Sequence, residues 1–193
     1  MILIKDFEIL KVFLNNYAGE IYGRMLVGKV RLSQKAIALA LAGLESKGIL
    51  KSRRQGRIKH YGLNTEYSEI KDVVVMLEIA RKIDFLTTRR NLAHIFRKDD
   101  RIVGVFGSHA RNAQKSWSDV DVFIIGNKEK EDYDAKGKLF DIDISIKYFE
   151  QGDWKTRLKD KNGLVNEIVA NHVVVFGTEG FVNMLWSHYY GFN

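Results

Sequence analysis

Asp119 and Asp121 stand one residue apart at the start of an apolar run, Val122 to Ile125. On an extended strand, residues i and i+2 point to the same face, so the two carboxylates lie side by side. Such a pair suits Mg²⁺, which takes carboxylate oxygens together with the oxygens of a bound phosphate. Upstream, Gly107-Ser108 follows a second apolar run, Ile102 to Phe106. Glycine permits close backbone approach, and the free N–H groups at a helix start face an anion. The Ser108 hydroxyl is placed to contact a β- or γ-phosphate. Arg111 and Ser118 add charge-assisted contacts to a triphosphate. The segment therefore combines a phosphate turn with a paired-carboxylate metal site, as a nucleoside triphosphate with its Mg²⁺ requires.

In-line transfer of a nucleotidyl group builds charge on the attacking and the leaving oxygen, and two Mg²⁺ ions about 4 Å apart stabilise both. That arrangement calls for a third carboxylate from a neighbouring strand. Residues 139–149 alternate and predict a half-buried strand. Asp141 and Asp143 fall on its polar face. Asp143, flanked by Ile142 and Ile144, is the favoured ligand of the second ion and the acceptor of the hydroxyl proton. His109 reads as a surface residue at a helix start. Trp154 and Trp186 read as packing residues, as does Trp117, which is near enough to the loop to touch a nucleobase. The competing reading, a turn whose aspartates merely cap a helix, is disfavoured by the apolar runs on both sides.

The run Gly107-Ser108-His109-Ala110-Arg111-Asn112, followed by Ser118-Asp119-Val120-Asp121-Val122-Phe123-Ile124-Ile125, resembles the nucleotidyltransferase superfamily that includes DNA polymerase beta. It is most similar to the minimal nucleotidyltransferases of bacteria and archaea. Their pattern is an apolar strand, Gly-Ser-x-Ala-Arg-Gly, a spacer, Ser-Asp-x-Asp and an apolar strand. Asn112 stands where that pattern has glycine, and Asn tolerates the left-handed region. The resemblance spans roughly residues 85–177, including the late strand Val173–Phe176. It implies Mg²⁺ at a two-ion site, with ATP or another nucleoside triphosphate as substrate. Minimal nucleotidyltransferases are often antitoxins that adenylylate a tyrosine of a HEPN-type toxin, which makes such a protein a candidate partner.

The rest of the chain must position and deliver this segment. Its 193 residues suffice for one large or two small domains, and its 46% apolar content is that of a globular protein. There is no cysteine, so neither a disulfide framework nor a thiolate metal site is available. No apolar run approaches a membrane span and no secretory pattern opens the chain, so a cytoplasmic protein without membrane attachment is expected. Residues 1–65 carry 12 Lys/Arg against 4 Asp/Glu, a net of +8, whereas residues 66–193 carry 19 against 20, a net of −1. A basic module ahead of a near-neutral one points to a polyanionic partner.

Within the basic module, helices are expected over 5–14, 21–30 and 34–47. Ser33 is the N-cap of the third, Gly48 its C-terminal stop, and a hairpin follows about Gln55-Gly56. Residues 5–64, with Ile21-Tyr22-Gly23-Arg24, Leu32-Ser33-Gln34-Lys35-Ala36-Ile37 and Leu44-Glu45-Ser46-Lys47-Gly48, resemble the winged helix-turn-helix fused to such nucleotidyltransferases in archaea. The resemblance implies double-stranded DNA binding through the helix from Ser33. Lys51, Arg53, Arg54, Arg57 and Lys59 in the hairpin form a phosphate-contacting set. On the helix only Gln34 and Lys35 can read base edges, because the next outward positions are Ala38, Leu39 and Ala42. Those apolar positions would equally suit a protein interface, and a homodimer is expected by analogy with winged-helix regulators.

The predicted architecture is thus two domains. An α+β winged helix-turn-helix (1–65) leads through a helical connector (66–84) to an α/β nucleotidyltransferase domain with a mixed sheet flanked by helices (85–193). Helices over 68–98 should meet near Lys82–Asp84. Residues 128–138 read as turn-like, 153–170 as one helix, and 178–190 as a closing helix. The expected function is Mg²⁺-dependent transfer of AMP from ATP to an acceptor hydroxyl beside a DNA-binding module. The alternative is a transcriptional regulator that senses a nucleotide without turning it over.

Overall fold

A computed structural model describes residues 4–114, 118–128 and 133–191 and divides into two compact units after Leu77. The expectation for Trp117 and part of the 128–138 segment lie outside the described residues.

The first unit is built on α1 (Ile4–Leu10), a 3₁₀ turn (Lys11–Asn15), α2 (Gly23–Leu26), α3 (Gln34–Ser46) and a hairpin of β1 (Leu50–Gln55) with β2 (Ile58–Leu63). Leu10, Phe13 and Leu14 are buried, as are Ile37, Leu41 and Leu44, which recur along one face of α3. Ser33 caps α3 by accepting from the Ala36 N–H at 3.3 Å. Gly48, at φ +74°, ends it. The second helix is shorter than the 21–30 expected, because Tyr22 before it and Val27 after it are both extended, and Gly28 then turns into the left-handed region at φ +79°. Ile21 and Tyr61 exchange backbone hydrogen bonds of 2.9 and 2.7 Å, so a third short segment borders the hairpin. The carboxylate of Asp6, almost fully buried, is met by Lys47 Nζ at 2.6 Å.

The division falls within α4 (Ile70–Thr87), one continuous helix that α5 (Arg90–Ile95) follows. The break lies at Thr88-Arg89 and not at Lys82–Asp84, where nothing interrupts the helical ladder.

The second unit contains β3 (Ile102–Phe106), α6 (Gly107–Ala110), β4 (Val120–Ile125), α7 (Tyr133–Lys138) and β5 (Ile144–Phe149). They are followed by α8 (Gln151–Lys159), α9 (Gly163–Ala170), β6 (His172–Phe176) and α10 (Thr178–Tyr190). The expected mixed sheet is present in the order β5-β4-β3-β6, parallel between β4 and β5 and antiparallel elsewhere. One apolar cluster joins Phe85, Leu92, Ile95 and Tyr133 to Val103, Val105, Val120 and Val122. A second, aromatic group stacks Phe123, Trp154 and Phe181, with ring centroids 5.7–6.2 Å apart. Successive strand residues face opposite sides, so β4 serves both groups. At Gly104 a Cβ would lie 2.4 Å from the Phe123 ring, so glycine is required for that ring to cross β3. Trp154 and Trp186 are buried packing residues, as expected.

Three local expectations are corrected. Residues Tyr133–Lys138 are helical, with Tyr133 fully buried against Phe96. The segment 153–170 is two helices, because Asn162 caps α9 by accepting from the Leu164 and Val165 N–H groups. The strand expected over 139–149 begins only at Ile144. Residues 137–142 form a turn in which the Phe140 and Ile142 N–H groups both bond the Gly137 carbonyl.

Candidate active site

β3 delivers the chain to Gly107, whose φ of +69° turns it into the four-residue α6. A Cβ at Gly107 would stand 2.8 Å from Asp121 Oδ2, so the missing side chain is what lets that carboxylate lie against the turn. Beyond α6, Asn112 adopts φ +55°, the left-handed conformation anticipated for the residue replacing glycine. Its Oδ1 accepts from Arg89 Nη2 at 2.5 Å.

Asp119 stands just ahead of β4, and Asp121 is its second residue. The parallel register pairs Val120 with Ile144 and Asp121 with Ser145. The Val120 N–H donates to the Asp143 carbonyl at 2.8 Å, which brings Asp143 beside Asp119 at the same end of the sheet. Asp143 thus precedes β5 instead of lying within it. Asp141 leaves the strand altogether and occupies the preceding turn at φ +54°. The alternation over 139–143 misled because Phe140 and Ile142 pack on the core from a turn, leaving Leu139 80% exposed.

Burial pushes the Asp121 carboxyl above its ordinary pKa, and the charge of Asp119 adds to that. Lys147 and His109 oppose the rise, while Glu167 reinforces it. Arg111, expected on a triphosphate, instead pairs with Glu167 Oε1 at 3.2 Å, with both side chains 44% exposed. Ser108 is half-buried, and its carbonyl accepts from the Ala113 N–H at 2.9 Å. Ser118 is half-buried beside Asp119.

Two adjacent carboxylates, with Asp121 raised first by burial and then by the charge of Asp119, form a hard-oxygen donor set, and a divalent cation fits that chemistry. Among the described residues, no three His, Cys, Asp or Glu side chains lie close enough to hold an ion. Asp119 and Asp121 share the start of β4, with Asp143 set alongside.

A cavity of about 710 Å³ is lined by Asp119, Asp141 and Asp143 together with Thr88, Arg89 and Arg90. Sequence reasoning missed the Thr88-Arg89-Arg90 part of this lining. Its one signal is the polar run Thr87-Thr88-Arg89-Arg90 interrupting an apolar periodicity. Arg89 lies over the Phe85 ring at 4.3 Å and also donates to Thr88 Oγ1 at 3.0 Å. His109 is half-buried and not a plain surface residue. Its Nε2 lies 3.0 Å from the Ser118 carbonyl, so that nitrogen carries the proton and ties α6 to the segment entering β4.

In the first unit, Gln34 and Lys35 are exposed in the first turn of α3. Lys51, Arg54 and Arg57 are exposed and form no ion pair among the described residues. The other two members of the expected set are engaged. Arg53 grips Glu20 through two bonds of 2.6 and 2.7 Å, and Lys59 meets Glu45 at 2.6 Å. Hydrogen bonds from Arg53 and from Lys59 hold the Glu20 and Glu45 carboxyls, respectively, below their ordinary range. Leu39 is 59% exposed on the outer face of α3.

Residues 87–175 match the family model described as a nucleotidyltransferase domain. The match covers the Gly107 turn, both strand-start aspartates, Asp143 and most of β6, and supports placing the second unit in the nucleotidyltransferase superfamily and among transferases. No curated protein and no solved structure matches the chain. Among the described residues, no helix is long and apolar enough to cross a membrane.

Proposed function

We propose that the nucleotidyltransferase domain of this chain is an active enzyme that transfers AMP from ATP to an acceptor hydroxyl. The observation that carries the reading is the seating of the Asp121 carboxylate against the Gly107 turn, with Asp119 on the same strand start. Backbone N–H groups at Gly107-Ser108, with the Ser108 and Ser118 hydroxyls, hold the triphosphate. Arg111 joins them on leaving Glu167. Asp119 and Asp121, with Asp143, would hold Mg²⁺, which when bound supplies charge stabilisation at the attacking and leaving oxygens. Asp143 takes the proton from the acceptor hydroxyl. The acceptor oxygen bonds to the α-phosphorus, the bond to the β-phosphoryl oxygen breaks, and pyrophosphate leaves. His109 fixes the Ser118-Asp119 backbone against α6, so phosphate turn and carboxylates keep their spacing.

The first unit, in this proposal, is a winged helix-turn-helix that binds double-stranded DNA. The order of helices and hairpin, the capped α3 and the exposed Lys51, Arg54 and Arg57 support it. A role as antitoxin toward a HEPN-type toxin partner, modified on a hydroxyl, and assembly as a homodimer belong to the same proposal. So does a cytoplasmic location.

Incubation of the full chain with α-labelled ATP, Mg²⁺ and a cell lysate tests the enzyme. Label in a product, lost in the Asp119→Ala/Asp121→Ala double variant, is the expected result. Nucleotide binding without transfer would favour the nucleotide-sensing regulator instead.

A further inference from the structure

The cavity beside Asp143 is lined by groups of both charges. Asp119, Asp141 and Asp143 supply carboxylates, and Arg89 and Arg90 supply guanidinium groups. Gly107, Ser108, Arg111 and Asp121 do not line it. The turn assigned to the triphosphate therefore adjoins the cavity, and Ser118 and Asp119 belong to both. A molecule seated in the cavity lies against Asp143, the proton acceptor, while Gly107 and Ser108 of the turn stay outside it. That is where the attacking hydroxyl must approach.

The two arginines differ in what they have left to offer. Arg89 is held by Asn112, Thr88 and the Phe85 ring, and burial lowers its pKa. Arg90 is exposed and makes no ion pair or hydrogen bond among the described residues. An unengaged guanidinium sharing a cavity with three carboxylates suits a ligand that is itself charged at one end. Its planar fork matches the paired oxygens of a phosphate or carboxylate. A volume of about 710 Å³ lies within the range of small-molecule pockets, roughly 300–1,000 Å³.

We infer that this cavity is the acceptor subsite, and that it selects an acceptor whose hydroxyl is accompanied by an oxyanion read by Arg90. The hydroxyl points to Asp143 and the oxyanion to Arg90. The inference rests on the transferase reading above for the role of Asp143, but the oxyanion site itself is independent of catalysis.

Titration of the ¹⁵N-labelled full chain, first with inorganic phosphate and then with acetate, tests it by NMR. Phosphate is expected to shift the amides of Thr88, Arg89, Arg90 and Asn91 and the Arg90 Nε–H signal. Arg90→Gln should weaken that binding at least fivefold, and Arg90→Lys should weaken it less. An acetate response of similar strength at the same amides marks a carboxylate-bearing acceptor; a response to phosphate alone marks a phosphate-bearing one. Phosphate shifts confined to Gly107 and Ser108, or unchanged by Arg90→Gln, would overturn the inference. A separate titration with ATP and Mg²⁺ reads Gly107 and Ser108. Its failure, with the Arg90 response intact, would count against the transferase reading and leave the oxyanion site standing.

Discussion

The Asp121 carboxylate occupies the space a side chain at Gly107 would need, with Oδ2 2.8 Å from the position of that Cβ. The Gly107 turn and the Asp121 carboxylate, fourteen residues apart in sequence, are thereby packed as one object. Gly107→Ala combines this clash with a left-handed φ of +69°. Strain of that kind amounts to about 1–3 kcal/mol. The variant should lower Tm, and label transfer should fall by more than tenfold, because Asp121 has to move. Unchanged transfer in Gly107→Ala would dissociate the turn from catalysis.

Asp121 also governs a pH response. Burial and then the Asp119 charge raise its pKa in the folded chain above the ordinary 3.8. The folded state therefore holds this proton more tightly than the unfolded state does. The resulting contribution is fully present below pH 3.8 and is lost as pH rises through the higher folded value. Asp121→Asn removes the like-charge contact. At neutral pH without divalent cation it should melt at or above the parent temperature, while transfer falls by two or more orders of magnitude. Thermal melts from pH 4 to 7, with and without Mg²⁺, provide the check; a large drop in Tm for Asp121→Asn at pH 7 would refute it.

Asp99 responds in the opposite sense. Burial would raise its carboxyl, but Arg101 and the Tyr133 hydroxyl, which donates at 2.7 Å, hold it at about 2. Its stabilisation is present above the ordinary value of 3.8 and disappears as pH falls toward about 2. Asp99→Asn leaves Arg101, whose side chain is 9% exposed, without its countercharge. A loss of about 1–3 kcal/mol is expected at pH 7, shrinking under acid, as measured by denaturant titration at both pH values. An equal deficit at pH 2 and pH 7 would show that the ion pair is not its source.

The basic hairpin divides into engaged and unengaged cations. Replacing Lys51, Arg54 and Arg57 by alanine should reduce the slope of log affinity for duplex DNA against log salt by about 3. Replacing Arg53 and Lys59 should change it less, because Glu20 and Glu45 already neutralise them. Glu20→Gln with Glu45→Gln frees both cations and should strengthen binding to any sequence. Fluorescence anisotropy across a salt series measures all three; identical slopes for every variant would remove the DNA-binding proposal.

Much of this chain was legible before folding. The apolar run after them put Asp119 and Asp121 at the start of a strand, and Ser33 and Gly48 bounded α3 by capping chemistry that is local to a few residues. The Asn112 conformation was legible for the same reason. Residues 139–149 were not, because Phe140 and Ile142 reach the core from a turn as well as from a strand, and period-two alternation does not separate the two cases. The helix break at Thr88-Arg89 was hidden because the helix-friendly residues before it carry no capping signal.

What the sequence determined by itself is the donor chemistry: a glycine-serine turn, two carboxylates in phase and a basic N-terminal third. These follow from residue type and near-neighbour spacing, which survive in any fold that makes the strands. Tertiary structure alone decided which groups share a space. The β4–β5 register set Asp143 beside Asp119, Glu167 claimed Arg111, Glu20 claimed Arg53, and the α4–α5 junction put Arg90 on the lining of one cavity with the carboxylates. Such encounters depend on pairing between residues tens of positions apart, and no local periodicity encodes them.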